Sequence, residues 1–236
     1  MNIMHAFCYL WVILAEIQNV HSFLFESPLE NQLQPRTFFL THSQERKIIS
    51  SVFCDGRDCP EFSVIKDYAY FIQERKYREA TFLASDNRIL CDLNATVAAA
   101  KVTLEKYRNG DNVQERRIYP VAPLLVQIDL FSSIQTSNRS CGMGFTVKMY
   151  IPPYLGIPPP PLTTSLNFVT LREGFTVFVH TYAGPHEARL FLELNDFQNA
   201  LKYLHLCYKS IRFYLAIYEV TGNENDQRNE IWLERC

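Results

Sequence analysis

The side chains here that could do chemistry are cysteines, histidines and scattered cations, and their spacing narrows the choice. Cys54 and Cys59 stand close together, and Cys91, Cys141, Cys207 and Cys236 follow at wide intervals. In an oxidising compartment these can pair completely; the alternatives are fewer bridges with buried free thiols, or a metal held by Cys54 and Cys59. The metal reading lacks a second Cys/His pair at ligand spacing. His180 has apolar neighbours on both sides, His186 begins a helical stretch and His205 falls near its end. With no partner at ligand spacing, the histidines read as structural or helix-dipole groups rather than ligands. No glycine pattern frames a serine as a nucleophile elbow, and no HExxH or paired CxxC is present. Asn109-Gly110-Asp111 reads as a helix stop and turn, not a phosphate loop. The expectation is a binding protein, not an enzyme.

Composition sets the outer bounds. A chain of 236 residues, 47% hydrophobic and 20% charged, is ample for one substantial core. A formal charge of −2, without a concentrated Lys/Arg run, gives no pull toward nucleic acid or acidic membranes.

The elements that must position these groups repeat. In the second half, Leu166–Leu171 and 175–180 are β-branched and aromatic, with a turn at 172–174, and read as a strand pair. Gly184-Pro185 breaks the chain, and Leu190, Leu194, Phe197, Leu201 and Leu204 recur as one apolar helical stripe. Residues 211–220 and 228–233 return to strand. The first half answers in order: strands at 62–65 and 70–82, a helical stripe of Leu93, Val97, Ala100, Leu104 and Tyr107, and a strand at 121–130. Polar residues 132–144 are read as the join between halves. The proline-rich run 151–161 is either a ligand for a proline-reading domain or, preferably, a rigid crossover between strands.

Ahead of the repeat, 6–15 is apolar but shorter than the roughly 20 residues a membrane span needs. Val20-His21-Ser22 supplies a cleavage-like sequence, so 1–22 is expected to be a secretory signal peptide and no stable membrane insertion is expected after its removal. Residues 23–53 lack periodicity and form an N-terminal extension, and the folded domain is 54–236. Asn94-Ala95-Thr96 and Asn138-Arg139-Ser140 are N-glycosylation sequons in keeping with a secreted glycoprotein.

Several segments together resemble the SOUL, or haem-binding, protein family across about residues 54–233. They are 228–233 (Arg-Asn-Glu-Ile-Trp-Leu), Met149-Tyr150-Ile151-Pro152 with the prolines after it, 175–179 before Gly184, and Ala122-Pro123. Cys54, Cys59-Pro60 and Cys141 resemble cysteines of the family's secreted or plant-type branch. The resemblance implies an α+β fold: a pseudo-twofold strand–helix–strand repeat forming a distorted, mainly antiparallel β-barrel with two helices. It also implies a secreted, non-enzymatic protein that binds haem or a related tetrapyrrole.

The residues it points to are Val97, Lys101, Leu104 and Lys106 on the first helix, with Tyr218 and Arg228 flanking the last loop. Lys101, Lys106 and Arg228 would steer the ring's carboxylates, and no metal-ligating residue is implied. Three positions depart from the family pattern. Lys76 stands where some members carry a proposed histidine, and Lys101 and Glu105 place charges where the ring would meet an apolar wall. These departures favour the alternative, a haem-independent module that recognises an extracellular protein on the same scaffold.

Overall fold

A computed structural model describes residues 54, 56–86, 92–130, 143–218 and 227–236. The signal and extension segments, Cys91, Cys141 and the Asn138 sequon lie outside the described residues. The chain runs β1 (Phe62–Tyr68), β2 (Ile72–Tyr77), β3 (Ala80–Asp86), α1 (Leu93–Arg108), β4 (Leu124–Leu130) and β5 (Met143–Ile151). A 3-10 turn at Pro153–Leu155 precedes β6 (Leu166–Leu171), β7 (Thr176–Ala183), α2 (His186–Tyr203), β8 (Arg212–Tyr218) and β9 (Arg228–Glu234).

All nine strands form one curled sheet, ordered β1-β2-β7-β9-β8-β4-β5-β3-β6, with every neighbouring pair antiparallel. This is the expected α+β distorted barrel with two helices. Leaving β1 aside, the order reads alike from either end: β2-β7-β9-β8 answers β6-β3-β5-β4. The pseudo-twofold repeat is therefore real, and it contains an exchange. β2 leads into β3 along the chain but bonds to β7, while β6 leads into β7 but bonds to β3.

That exchange corrects two expectations. Leu166–Leu171 and the strand after it are not a mutual pair. The turn at 172–174 is instead clamped to Tyr77, whose N–H donates to the Phe175 carbonyl at 2.8 Å and whose carbonyl accepts from Gly174 N–H at 3.0 Å. A turn signal fixes where a strand ends, not which strand it meets. The join between halves also lies later than expected. β5, with Phe145, Val147, Met149 and Ile151 turned to one face, completes the first half, so the crossover is 152–165. There Tyr107 Oη donates to the Pro159 carbonyl at 2.7 Å, and Val113 N–H to that of Pro160 at 3.0 Å. These bonds make the proline run the rigid crossover the sequence favours.

Both helical stripes bury as their spacing predicts. Val97, Ala100, Leu104 and Tyr107 of α1 pack toward β3 and β5, while Leu190, Leu194, Phe197 and Leu201 of α2 pack toward β7 and β9. α1 opens where Asp92 Oδ1 accepts Ala95 N–H at 2.9 Å, and its last turn carries Lys106 and Arg108, which suit the helix dipole. Disulfides join Cys54 to Cys59 and Cys207 to Cys236.

The face of the sheet opposite α1 and α2, which carries no helix among the described residues, has its own core, built around Tyr77, Phe82, Tyr150, Val177, Val179, Tyr214 and Trp232. Arg75 and Glu230 sit within it, 1% and 0% exposed, with Arg75 Nη1 3.1 Å from each carboxylate oxygen. Gln73 Oε1 accepts from the rest of the guanidinium, and Trp232 Nε1 and Tyr218 Oη donate to Glu230 Oε2 at 2.9 and 3.1 Å. Removing one partner strands the other charge in the core. Arg75→Met should therefore lower the unfolding free energy by about 3–5 kcal/mol, and adding Glu230→Gln should recover part of it. Urea unfolding of the single and double variants measures both.

Candidate functional site

A groove opens between α1 and the end of the barrel. Lys101, Leu104, Glu105 and Arg108 line it from α1, at spacings of three, one and three that put them on one flank of a helix. Leu124 of β4, Met149 of β5 and Ile217 of β8 form its apolar floor with Leu104. The far wall is Pro120, Val121 and Pro123, shaped by a cis peptide between Ala122 and Pro123.

Arg57 arrives from a distant part of the chain. The Cys54–Cys59 disulfide closes the loop that carries it, and Arg57 N–H and Nε both donate to the Cys54 carbonyl, at 3.0 and 3.4 Å. The loop is then docked on the wall through an Asp58–Val121 bridge, with Ala122 N–H donating to the Asp58 carbonyl at 2.9 Å. The result is an apolar slot rimmed by Arg57, Lys101 and Arg108, with Glu105 as the one carboxylate. Its volume is about 120 Å³, below the roughly 300 Å³ at which pockets enclose a drug-sized ligand. Such a slot can hold one edge or one face of a flat molecule and leave the remainder in solvent.

The six residues singled out in the sequence go to four places. Lys101 and Leu104 line the groove. Val97 is buried in the core between α1 and the sheet, and Lys106 is on the exposed side of α1, not among the lining residues. Tyr218 and Arg228 belong to the face without helices: Tyr218 bonds Glu230, and the Arg228 guanidinium lies 4.0 Å over the Tyr218 ring. Burial, followed by the Glu230 carboxylate, pushes the Tyr218 hydroxyl well up, so it stays a hydrogen-bond donor at physiological pH.

Of the departures noted in the sequence, Glu105 lies in the groove, whereas Lys76 is exposed on β2 against the turn at 172–174. Sequence reasoning missed Arg57, Arg108, Met149 and Ile217. Arg108 was within reach, being two helical turns after Lys101; Arg57 was not, because the disulfide loop and the cis turn place it.

His180 is engaged away from the groove. His180 Nε2 is 3.0 Å from Glu193 Oε2, its ring stacks on Phe197 at 5.5 Å, and Arg189 also pairs with Glu193. Among the described residues no group of three or more His, Cys, Asp or Glu side chains could hold a metal ion, and no helix is long and apolar enough to cross a membrane. In the Asn94 sequon, Asn94 Oδ1 is shut off from solvent and Thr96 Oγ1 donates to the Asp92 carbonyl at 2.7 Å.

A family model described as SOUL heme-binding protein matches residues 57–234. Among solved structures, the chain is similar to one described as a hydrolase from Listeria innocua, at 11% identity and a TM-score of 0.46, over 69% of this chain and 90% of that one. An uncharacterized conserved protein from Listeria innocua gives 11% identity and a TM-score of 0.48 over the same shares. The C-terminal domain of EcmrR gives 7% and 0.49, over 71% of this chain and 98% of that one. No curated protein matches.

Tyr218 and Lys106 separate a buried role from a surface one. Tyr218→Phe removes a bond to a buried carboxylate and should cost about 1.5–3 kcal/mol of stability. Lys106→Ala should change stability by no more than about 0.5 kcal/mol. Paired urea titrations check both.

Proposed function

The chain belongs to the SOUL family of haem-binding proteins, and on that footing we propose that it is a secreted, non-enzymatic carrier of haem or a related tetrapyrrole, held in the α1 groove. The observation that carries this reading is the pairing of an apolar floor with a cationic rim. Leu104, Leu124, Met149 and Ile217 offer the surface a macrocycle needs, and Arg57, Lys101 and Arg108 offer partners for its carboxylates. Burial of ring carbon would supply about 25 cal/mol per Å² of apolar area removed from water.

Among the described lining residues there is no His, Cys or Tyr, and Met149, the one side chain of an axial-ligand type, sits in the apolar floor, so in this reading affinity rests chiefly on ring burial and carboxylate pairing. When bound, the group supplies a flat, carboxylate-bearing chromophore. The chain's own part is to cover one of its faces and fix its orientation. Val97, Tyr218 and Arg228 then serve the scaffold, and Lys106 stays outside the site.

Secretion fits the same account: the Cys54–Cys59 and Cys207–Cys236 disulfides suit an oxidising, extracellular setting. In this reading 1–22 is removed, 23–53 is an extension of the 54–236 domain, and the chain carries glycan. A second reading, recognition of an extracellular protein through the same face, is favoured by Glu105 in the slot and by exposed Tyr119 and Tyr154 near Pro120.

Haemin titration of the secreted protein, with an unrelated secreted protein as control, tests the carrier reading. The expected result is one saturable site, weakened about tenfold or more by Lys101→Glu or Arg108→Glu and within about twofold of wild type in Lys106→Glu. Haemin uptake no greater than the control's would end the carrier reading and send the search to protein partners. Intact mass of the secreted protein should show cleavage after Ser22 and glycan at Asn138 rather than at Asn94; a chain retained in cells with free thiols would overturn export.

A further inference from the structure

The face of the sheet opposite α1 and α2 carries a second group of cations, on the other side of the sheet from the groove residues. Lys148 of β5 projects there, half-buried, and its Nζ donates to Gln127 Oε1 at 2.7 Å. Gln127 Nε2 in turn donates to Asp129 Oδ2 at 2.7 Å, and Asp129 Oδ1 accepts from Arg212 Nε. Lys148 Nζ also lies 5.6 Å from the centre of the Tyr214 ring, against which Phe175 packs edge-on at 5.7 Å. Burial, with Arg212 beside it, pulls the Lys148 ammonium down to about 8, and Asp129 acts in the opposite direction. The other nearby carboxylate, Glu234, is engaged by Lys209 at 2.6 Å. Two cations thus share one carboxylate, and that carboxylate is already held by Arg212 and Gln127.

The internal repeat shows what this group lacks. When β3 is laid on β7 and the α1 stripe on the α2 stripe, the strand registers carry Tyr150 onto Trp232, Gln127 onto Tyr218 and Lys148 onto Glu230. In the second half β2 brings Arg75 to neutralise Glu230. The corresponding strand β6 presents Leu171 in place of Arg75, so β6 brings no opposing charge to Lys148 as β2 does to Glu230.

We propose that Lys148 and Arg212 form a binding site for a small aromatic monocarboxylate, its carboxylate bridging the two cations and its ring against Tyr214 and Phe175. Two cations less Asp129 leave a single positive charge, which matches a monoanion rather than a phosphate dianion. The two aromatic side chains supply the apolar wall that an inorganic anion would not use.

Benzoate is the probe, titrated into the whole secreted protein by calorimetry. One saturable site is expected, weakened about tenfold or more in Lys148→Met and kept within about threefold in Lys148→Arg, with inorganic phosphate at least about tenfold weaker. A variant-free arm guards against misfolding: saturating benzoate should slow acetylation of Lys148 in the wild-type protein about threefold or more, read by peptide mass spectrometry, and leave Lys106 unaffected. An unchanged Lys148 acetylation rate, or benzoate bound equally well by folded Lys148→Met, would overturn the site. Phosphate bound as tightly as benzoate would overturn the aromatic monocarboxylate as its ligand.

Discussion

Much of this fold depends on one buried ion pair. Arg75 lies on β2 and Glu230 on β9, the two strands flanking β7, and 155 positions separate them in the chain. Taking either charge out of water is costly, and their attraction offsets that cost only where the remaining hydrogen-bonding capacity is also met. Here it is met: Gln73 completes the guanidinium, Tyr218 and Trp232 complete the carboxylate, and Phe62 covers the guanidinium face at 4.5 Å. A hydrophobic pair of similar volume could fill the same space. What the ion pair adds is specificity, because a one-residue slip of β2 would turn Arg75 to the opposite face and leave Glu230 without its partner.

The two faces of the sheet hold their charges by different means. On the helix side, the α1 groove places cations at the rim of an apolar slot, where their aliphatic stems can pack and their heads stay wet. On the other side charges lie among aromatic rings and are tolerated only when matched. Arg75 is paired directly with Glu230, whereas Lys148 bonds a neutral amide and shares Asp129 with Arg212. The helix side is held rigidly: the Cys54–Cys59 loop fixes one wall of the groove, and the Pro159 and Pro160 carbonyls pin the crossover beside α1.

What the sequence made legible follows from how local the signal is. Helix periodicity found both apolar stripes, Leu104 among them, and the family resemblance added Lys101, so that one flank of the groove was in view. The repeat was visible because each half carries such a stripe between strands. Strand partners were not visible: the alternation that marks β6 and β7 says which residues face inward but nothing about which neighbour each will bond. β5 escaped notice because polar residues precede it and prolines follow it, which made its ends look like linker. Arg57 and Met149 came from parts of the chain that only tertiary structure brings to α1. Tyr218 and Arg228 were read as flanking the last loop, and the Glu230 beside them, a lone carboxylate in an apolar strand, was the stronger clue to their setting.

The exchange of β2 and β6 makes each half of the chain the other's missing subunit. Neither half can complete its own four strands, since one of them is supplied by the other half. In a separate-chain ancestor of such an arrangement, assembly would depend on concentration. Joined through 152–165, the halves meet at a fixed effective concentration set by the crossover, on the order of millimolar for a short tether. A stiff, pinned crossover raises that figure by removing orientations that do not lead to docking. The molecule therefore behaves as a dimer that dilution cannot dissociate.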